Sequence, residues 1–213
     1  MILYIESDAS YGSETESRSR GGGYFYLGNK IARDSEGKIS IDPKFNNGPI
    51  ECISSILKSV LSSAAESEYG TAFMNAQSGV GFRNTLLDMG WAQPATPLAV
   101  DNQCAVGLAN RTIKQRRSRA ITMRYHWIRD RVQRGEFEVY WRPGKTNRAD
   151  YFTKVHPIYH YKEMRNTFVR TPPLAVIQKT NPAAGSGAPV DSKLTGSFKG
   201  CVGGTTDTEQ TYQ

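Results

Sequence analysis

The sequence S-A-A-E-S-E-Y at residues 63–69 separates a run of predicted strands from a series of predicted helices. Ser63 and Glu66 have the S-x-x-E spacing of a capping box, which satisfies free backbone N–H groups at a helix N-terminus. Apolar residues then recur at helical spacing as far as Val80, and Gly90 is a typical stop signal. The pattern therefore predicts a helix that begins after Ser63 and ends before Gly90.

The segments on either side of this helix predict a mixed α/β fold. Three β-prone segments precede it, at residues 1–7, 20–28 and 50–54. After it, the predicted elements are a strand at 97–101, helices at 102–109 and 120–134, a strand at 137–141, and a last helix from 149 to about 157 with a further piece over 159–169. Consecutive strands, followed by strands that alternate with helices, indicate an antiparallel meander extended by parallel strands.

The composition predicts one domain followed by a tail. Residues 171–213 are rich in Pro, Gly, Ser and Thr, which predicts a disordered tail and leaves a single domain over residues 1–170. No apolar run approaches the roughly 18–20 residues of a membrane span. Residues 1–5 are too short an apolar segment for a signal peptide. We therefore expect no membrane partner and an intracellular protein, either cytoplasmic or nuclear.

Positive charge is concentrated in one segment. The chain has a formal net charge of +7, and residues 111–134 contain nine Arg and Lys residues against one acid, Asp130. Such a segment indicates a polyanionic partner, most often nucleic acid. The alternative is a solvated helix face without a partner. For a nucleic-acid partner, the expected phosphate contacts are Arg116, Arg117, Arg119 and Arg124.

Four acids lie at the predicted ends or beginnings of elements: Asp8, Glu68, Asp101 and Asp150. Carboxylates brought close together repel one another unless cations lie between them. Mg²⁺ prefers carboxylate oxygens and keeps positions for water or phosphate. Two such ions about 3.5–4 Å apart can hydrolyse a phosphodiester. A shared metal site is therefore one interpretation of this spacing.

Each acid also has an ordinary structural interpretation. Asp8 could stabilise an Asx turn, and Asp101 and Asp150 could be helix N-caps. Glu68 could simply favour the N-terminal end of its helix. The spacing alone leaves both interpretations open.

Five segments, in order, resemble the RNase H domain of Ty1/copia-type retrotransposon Pol polyproteins. Together they cover about residues 3–156. The matched segments are R-S-R-G-G-G-Y through L-G at 18–28 (similar to R-S-T-S-G-Y…F-L-G), S-A-A-E-S-E-Y at 63–69 (S-S-T-E-A-E-Y), D-N-Q-C-A at 101–105 (D-N-Q-S-A), R-Y-H-W-I-R-D-R-V at 124–132 (R-Y-H-F-I-R-E-R-V) and A-D-Y-F-T-K at 149–154 (A-D-I-F-T-K).

The resemblance implies an RNase H-like mixed five-stranded sheet flanked by helices, and hydrolysis of the RNA strand of an RNA–DNA hybrid. It implies that two Mg²⁺ ions, with Mn²⁺ as a substitute, are held by Asp8, Glu68, Asp101 and Asp150. Glu68 is preferred to Glu66 because it stands next to Tyr69, as the family's ligand does. By the same resemblance, Gln103 reaches the minor groove of the hybrid.

Two departures keep other functions open. Residues 141–149 lack the histidine that many cellular RNases H carry there, which suggests slower turnover, and the reverse transcriptase fused to this domain in the family is absent from the sequence. The alternatives are a non-catalytic nucleic-acid-binding remnant and a structural subdomain that depends on its polymerase. Another RNase H-fold nuclease, such as an integrase or resolvase, is disfavoured by the matches at 124–132 and 149–154.

Overall fold

The apolar segment at residues 2–5 belongs to the central strand of a five-stranded sheet. The computed structural model of the protein describes residues 1–40, 48–113 and 122–169. The predicted disordered tail at 171–213 lies outside these residues. So do three of the predicted phosphate contacts, Arg116, Arg117 and Arg119.

The sheet is mixed, as predicted. Its strands are β1 (Ile2–Ser10), β2 (Arg20–Gly28), β3 (Pro49–Ile56), β4 (Thr96–Val100) and β5 (Phe137–Trp141), in the spatial order β3-β2-β1-β4-β5. β2 pairs antiparallel with β1 and β3, whereas β4 pairs parallel with β1 and β5. The predicted α/β class, a five-stranded mixed sheet flanked by helices, is therefore confirmed. A short ribbon formed by Ala32–Arg33 and Ile39–Ser40 stands apart from the sheet.

The strand β1 is longer than predicted. Its pairing with β2 continues to Ser10 opposite Arg20, so that Asp8 lies within the strand and opposite Gly22. The prediction that the strand ends at Ser7 and that Asp8 begins a turn was therefore wrong. Cross-strand pairing with β2, which is distant in sequence, extends the strand beyond its apolar residues.

Both faces of β1 are covered because its side chains alternate between two apolar clusters. Leu3 and Ile5 pack with the helices α1 (Ala64–Asp88), α2 (Gln103–Ala109) and α3 (Thr122–Gln133). Tyr4 packs on the opposite face with Tyr24 and Tyr26. None of the helices in the described ranges combines the length and the apolar character that a membrane span requires.

The long helix α1 begins where the capping box predicted. The Ser63 hydroxyl accepts a hydrogen bond from the Glu66 backbone N–H at 3.2 Å. The Glu66 carboxylate accepts from the backbone N–H and hydroxyl of Ser62 rather than from Ser63. Gly90 follows the helix with a positive φ of 84°, which glycine adopts without strain.

The helix predicted from residue 149 to about 157 is shorter in the structure and is a 3-10 helix. A 3-10 helix covers Arg148–Phe152, and α4 (Ile158–Phe168) begins only after Pro157. The prediction of one helix from Ala149 to about Pro157 was therefore wrong, although a further helical piece follows nearly as predicted. The 3-10 helix packs against β1 and β2, because Ala149 and Phe152 join the cluster around Tyr24.

A buried acid ties this 3-10 helix to the central strand. Glu6 is fully buried and accepts hydrogen bonds from Arg142 Nη1 at 2.7 Å, Arg148 Nη1 at 3.0 Å and the Arg148 backbone N–H at 2.6 Å. Arg148 also stacks over the rings of Tyr24 and Tyr26. Burial raises the pKa of Glu6, while the two guanidinium groups oppose that rise.

We predict that Glu6→Gln destabilises the protein by about 3–5 kcal/mol, because it leaves the guanidinium groups of the buried Arg148 and the partly buried Arg142 without their counter-charge. Urea unfolding measures the effect. Glu36→Gln is the control, since Glu36 forms an exposed ion pair with Lys38 and should change stability by less than about 1 kcal/mol. Equal stability of the two variants would contradict a structural role for Glu6.

Candidate metal centre

Three of the four predicted acids meet at one edge of the sheet. Asp8, Glu68 and Asp101 each offer a carboxylate oxygen, and these oxygens lie within 4.8 Å of one another. β1 and β4 are parallel with Ser7 opposite Val100, so the residues that follow these two, Asp8 and Asp101, reach the same edge. α1 supplies Glu68, whose Oε1 atom accepts from the Ala9 backbone N–H at 3.1 Å.

Neighbouring asparagines fill the helix-capping roles that two of these acids could have had. Asn102 caps α2 by accepting from two backbone N–H groups, so Asp101 is not the N-cap. Asn147 caps the 3-10 helix, so Asp150 is not the N-cap there either. The Asp8 carboxylate accepts from the hydroxyl of Thr153 at 2.5 Å, on a distant segment. Asp101 and Asp150 are therefore not needed as helix caps.

The electrostatics of the three acids suit a cation. Burial, followed by the charges of Asp8 and Asp101, raises the pKa of Glu68 to about 10. Burial also raises the pKa of Asp8 to about 6, with further contributions from Asp101 and Asp150, against Thr153 and Lys154. Glu68 Oε2 is buried and accepts no hydrogen bond from the described residues. An all-carboxylate set with a buried unsatisfied oxygen fits a hard divalent cation such as Mg²⁺ or Mn²⁺.

Asp150 lies beside this group but is not part of it. Its charge contributes to the raised pKa of Asp8, which places it nearby. Its Oδ1 atom is paired with the ammonium of Lys154, four residues later. The structure thus brings three predicted ligands together and leaves the fourth in an ion pair within the chain.

The two described nucleic-acid candidates differ in exposure. Gln103 is exposed at the first position of α2, two residues beyond Asp101. Arg124 is partly buried, with its guanidinium 5.9 Å from the ring centroid of Phe73 on α1. Packing against α1 is therefore at least one role of Arg124, and whether either side chain binds nucleic acid stays a prediction.

Residues that support the acids were missed by the sequence analysis. Thr153 and Lys154 lie in the matched A-D-Y-F-T-K segment, which could have singled them out. Glu6 could have been noticed as a charged residue inside an apolar strand. Trp141 Nε1 donates to the Asp101 carbonyl oxygen at 2.9 Å, a contact that nothing in the sequence pattern indicates.

Comparisons with known proteins agree with the predicted resemblance. No family model matches the chain. The retrovirus-related Pol polyprotein from transposon TNT 1-94 of Nicotiana tabacum is 27% identical over 156 residues, or 73% of this chain. The match covers 10% of that polyprotein's length. The predicted similarity to a retrotransposon Pol polyprotein is therefore confirmed.

Three solved structures are also similar to the chain. LC11-RNase H1, isolated from compost by a metagenomic approach, has 14% identity and a TM-score of 0.47, covering 70% of this chain and 91% of that one. LC11-RNase H1 in complex with an RNA/DNA hybrid has 12% identity and a TM-score of 0.47, covering 70% and 92%. Prototype foamy virus protease-reverse transcriptase has 10% identity and a TM-score of 0.38, covering 80% and 21%.

We predict that the metal-free protein loses stability as pH rises. The pKa of Glu68 is about 10 in the folded chain against an ordinary 4.5, and that of Asp8 is about 6 against 3.8. The folded state therefore keeps protons that the unfolded chain releases, and its stability falls as pH rises above the ordinary values. Each group contributes at most about 1.4 kcal/mol per pH unit within its own window. Urea unfolding in chelator between about pH 5 and pH 8 measures the slope.

Glu68→Gln should flatten this slope, because a glutamine side chain at this position neither ionises nor repels Asp8 and Asp101. Glu163→Gln removes an exposed carboxylate on α4 and serves as the matched control. Mg²⁺ should raise the stability of the unaltered chain most at high pH, since it binds the ionised carboxylates of the folded state. A slope unchanged by Glu68→Gln would show that Glu68 is not the group responsible.

A further prediction concerns how the 3-10 helical turn over Arg148–Phe152 packs on the sheet. A Cβ atom on Gly22 would lie 2.7 Å from the Ala149 carbonyl oxygen and 2.7 Å from Thr153 Cγ2. Gly22→Ala should therefore displace this turn and destabilise the protein by about 1–3 kcal/mol in urea unfolding. In contrast, a Cβ on Gly81 meets nothing within 4 Å, and Gly81→Ala in exposed helix should stabilise by about 0.8–1 kcal/mol. A fully stable Gly22→Ala variant would contradict this packing requirement.

Proposed function

We propose that the chain is a ribonuclease H of a copia-type retrotransposon Pol polyprotein, which hydrolyses the RNA strand of RNA–DNA hybrids with divalent metal ions. The observation that carries this proposal is the convergence of Asp8, Glu68 and Asp101 within 4.8 Å at the sheet edge, with Asp150 alongside. The similarity to the Pol polyprotein of Nicotiana tabacum supports the same conclusion. By that similarity, a reverse transcriptase is the proposed fusion partner.

The four acids would hold two Mg²⁺ ions, or Mn²⁺ in their place. When bound, such ions activate a water molecule and stabilise the leaving oxygen of a phosphodiester. Water adds across the bond between phosphorus and O3′, which leaves a 5′-phosphate and a 3′-hydroxyl. The chain contributes orientation: Thr153 fixes Asp8 and the Ala9 N–H fixes Glu68, so these carboxylates need little rearrangement.

Substrate binding is proposed to depend on backbone charge and groove shape. Gln103 is exposed close to Asp101 and is the candidate for the minor groove. Arg116, Arg117, Arg119 and Arg124 are the candidates for phosphate contacts. Hybrids are recognised mainly through groove shape and 2′-hydroxyls, so we expect little sequence preference but strong dependence on salt.

Cleavage of a labelled RNA–DNA hybrid by the purified chain tests the proposal. We expect the RNA strand to be cut in Mg²⁺ and to remain intact in chelator. Asp101→Asn should lower the rate by more than about 100-fold, since even the outer-shell partners of metal ligands contribute about 10–100-fold. Asp88→Asn, an exposed change at the end of α1, should cleave like the unaltered chain.

Two other outcomes would contradict the proposal. Tight hybrid binding without cleavage, in either Mg²⁺ or Mn²⁺, would favour the non-catalytic nucleic-acid-binding remnant. Cleavage by Asp101→Asn at the rate of the unaltered chain would show that the acidic cluster is not the catalytic site.

A further inference from the structure

Asp150 differs from the other three acids in its partner. Asp8, Glu68 and Asp101 each place a carboxylate oxygen within 4.8 Å of the other two, whereas Asp150 Oδ1 is held by the ammonium of Lys154. The Asp150 side chain is 29% exposed and that of Lys154 is 51% exposed. The ion pair therefore lies on the solvent side of the acids and is accessible to an incoming cation.

Lys154 lies where its ammonium offsets part of the charge of the acidic group. Its neighbour Thr153 donates to Asp8 at 2.5 Å, which holds this part of the chain against the acids. Burial would lower the pKa of Lys154, but the hydrogen bond to Asp150 and the charges of Asp150, Asp8 and Asp101 outweigh it and raise that pKa. The ammonium is therefore within electrostatic range of three of the four acids.

Other basic side chains near the site are bound to different acids. Arg142 and Arg148 both contact Glu6. Arg20, which lines the same groove as Lys154, is paired with Glu14 at 2.6 Å. Lys154 is thus the described side chain that supplies counter-charge directly to one of the four proposed ligands.

We infer that Lys154 is a built-in counter-cation that competes with a divalent metal ion for Asp150. The inference rests on the proposed metal-dependent function. A cation that binds Asp8, Glu68 and Asp101 breaks no ion pair, whereas one that uses Asp150 must displace Lys154. The two metal ions therefore bind with unequal affinity. Lys154 is a positioning residue: it acts through Asp150 and lowers the affinity of the ion that uses Asp150.

The inference is tested by titrating the full chain with Mn²⁺ and measuring the free ion by electron paramagnetic resonance. This readout does not depend on cleavage. We expect a stronger and a weaker binding event. Lys154→Met should tighten the weaker event by up to about fivefold, the upper end of the range for an exposed ion pair, and the stronger one by less than about twofold. Lys145→Met is the matched control, because it removes the same charge from an exposed residue of the loop after β5. It should tighten neither event by more than about twofold.

An Asp150→Asn variant makes the test independent of how well Lys154→Met folds. Asp150→Asn should lose the weaker event and keep the stronger one. Adding Lys154→Met to this variant should then change Mn²⁺ binding by less than about twofold, because the competition for Asp150 has been removed and only the weaker long-range effect on the other acids remains. Lys154→Arg should retain the unequal affinities, since it keeps the positive charge.

The failures of this inference and of the proposed function are distinguishable. Equal tightening by Lys154→Met and Lys145→Met, or two Mn²⁺ events that persist in Asp150→Asn, would overturn the role of Lys154 and leave the nuclease proposal standing. Mn²⁺ binding that is unaffected by Asp101→Asn would overturn the metal centre itself, and the inference with it.

Discussion

The rest of the site depends on the contacts of the buried Glu6 carboxylate with Arg142 and Arg148. Glu6 lies on the central strand and binds two arginines and a backbone N–H from the segment that follows β5. A buried charge is tolerated only when it is paired and fully hydrogen-bonded, so this contact strongly constrains the position of Arg148. Asp150 and Thr153 come two and five residues after Arg148. The contact between Arg148 and Glu6 therefore helps to fix their positions beside Asp8.

The backbone that carries the three acids is well held, although the carboxylates repel one another. The three carboxylates are held by backbone pairing, by α1 and by the start of α2, none of which requires the acids themselves. Asn102 and Asn147 provide the caps, so the free energy of these helix ends does not depend on Asp101 or Asp150. Helix capping and the proposed metal binding are thereby assigned to different residues, which permits repulsion among the acids that a capping role would not allow.

Local signals in the sequence were sufficient for most elements and insufficient for contacts between distant segments. The capping box at Ser63 and the stop at Gly90 are local chemistry, and α1 follows them. The extension of β1 to Ser10 depends on pairing with β2, and the 3-10 helix at Arg148–Phe152 depends on packing against the sheet. Likewise, the resemblance indicated four acids, but the pairing of Asp150 with Lys154 is a matter of side-chain geometry.

Glu6 and Asp8 are acids of one strand whose charges are compensated in different ways. They are two residues apart in β1 and so lie on the same face of the sheet. Glu6 is fully buried where two arginines of the chain can reach it, and its charge is compensated from within. Asp8 lies further along the strand, at the edge where Asp101 and Glu68 converge, and among the described residues it accepts a hydrogen bond from the Thr153 hydroxyl. Because a hydroxyl does not neutralise a carboxylate, Asp8 suits the proposed binding of an external cation, whereas the charge of Glu6 is compensated within the fold.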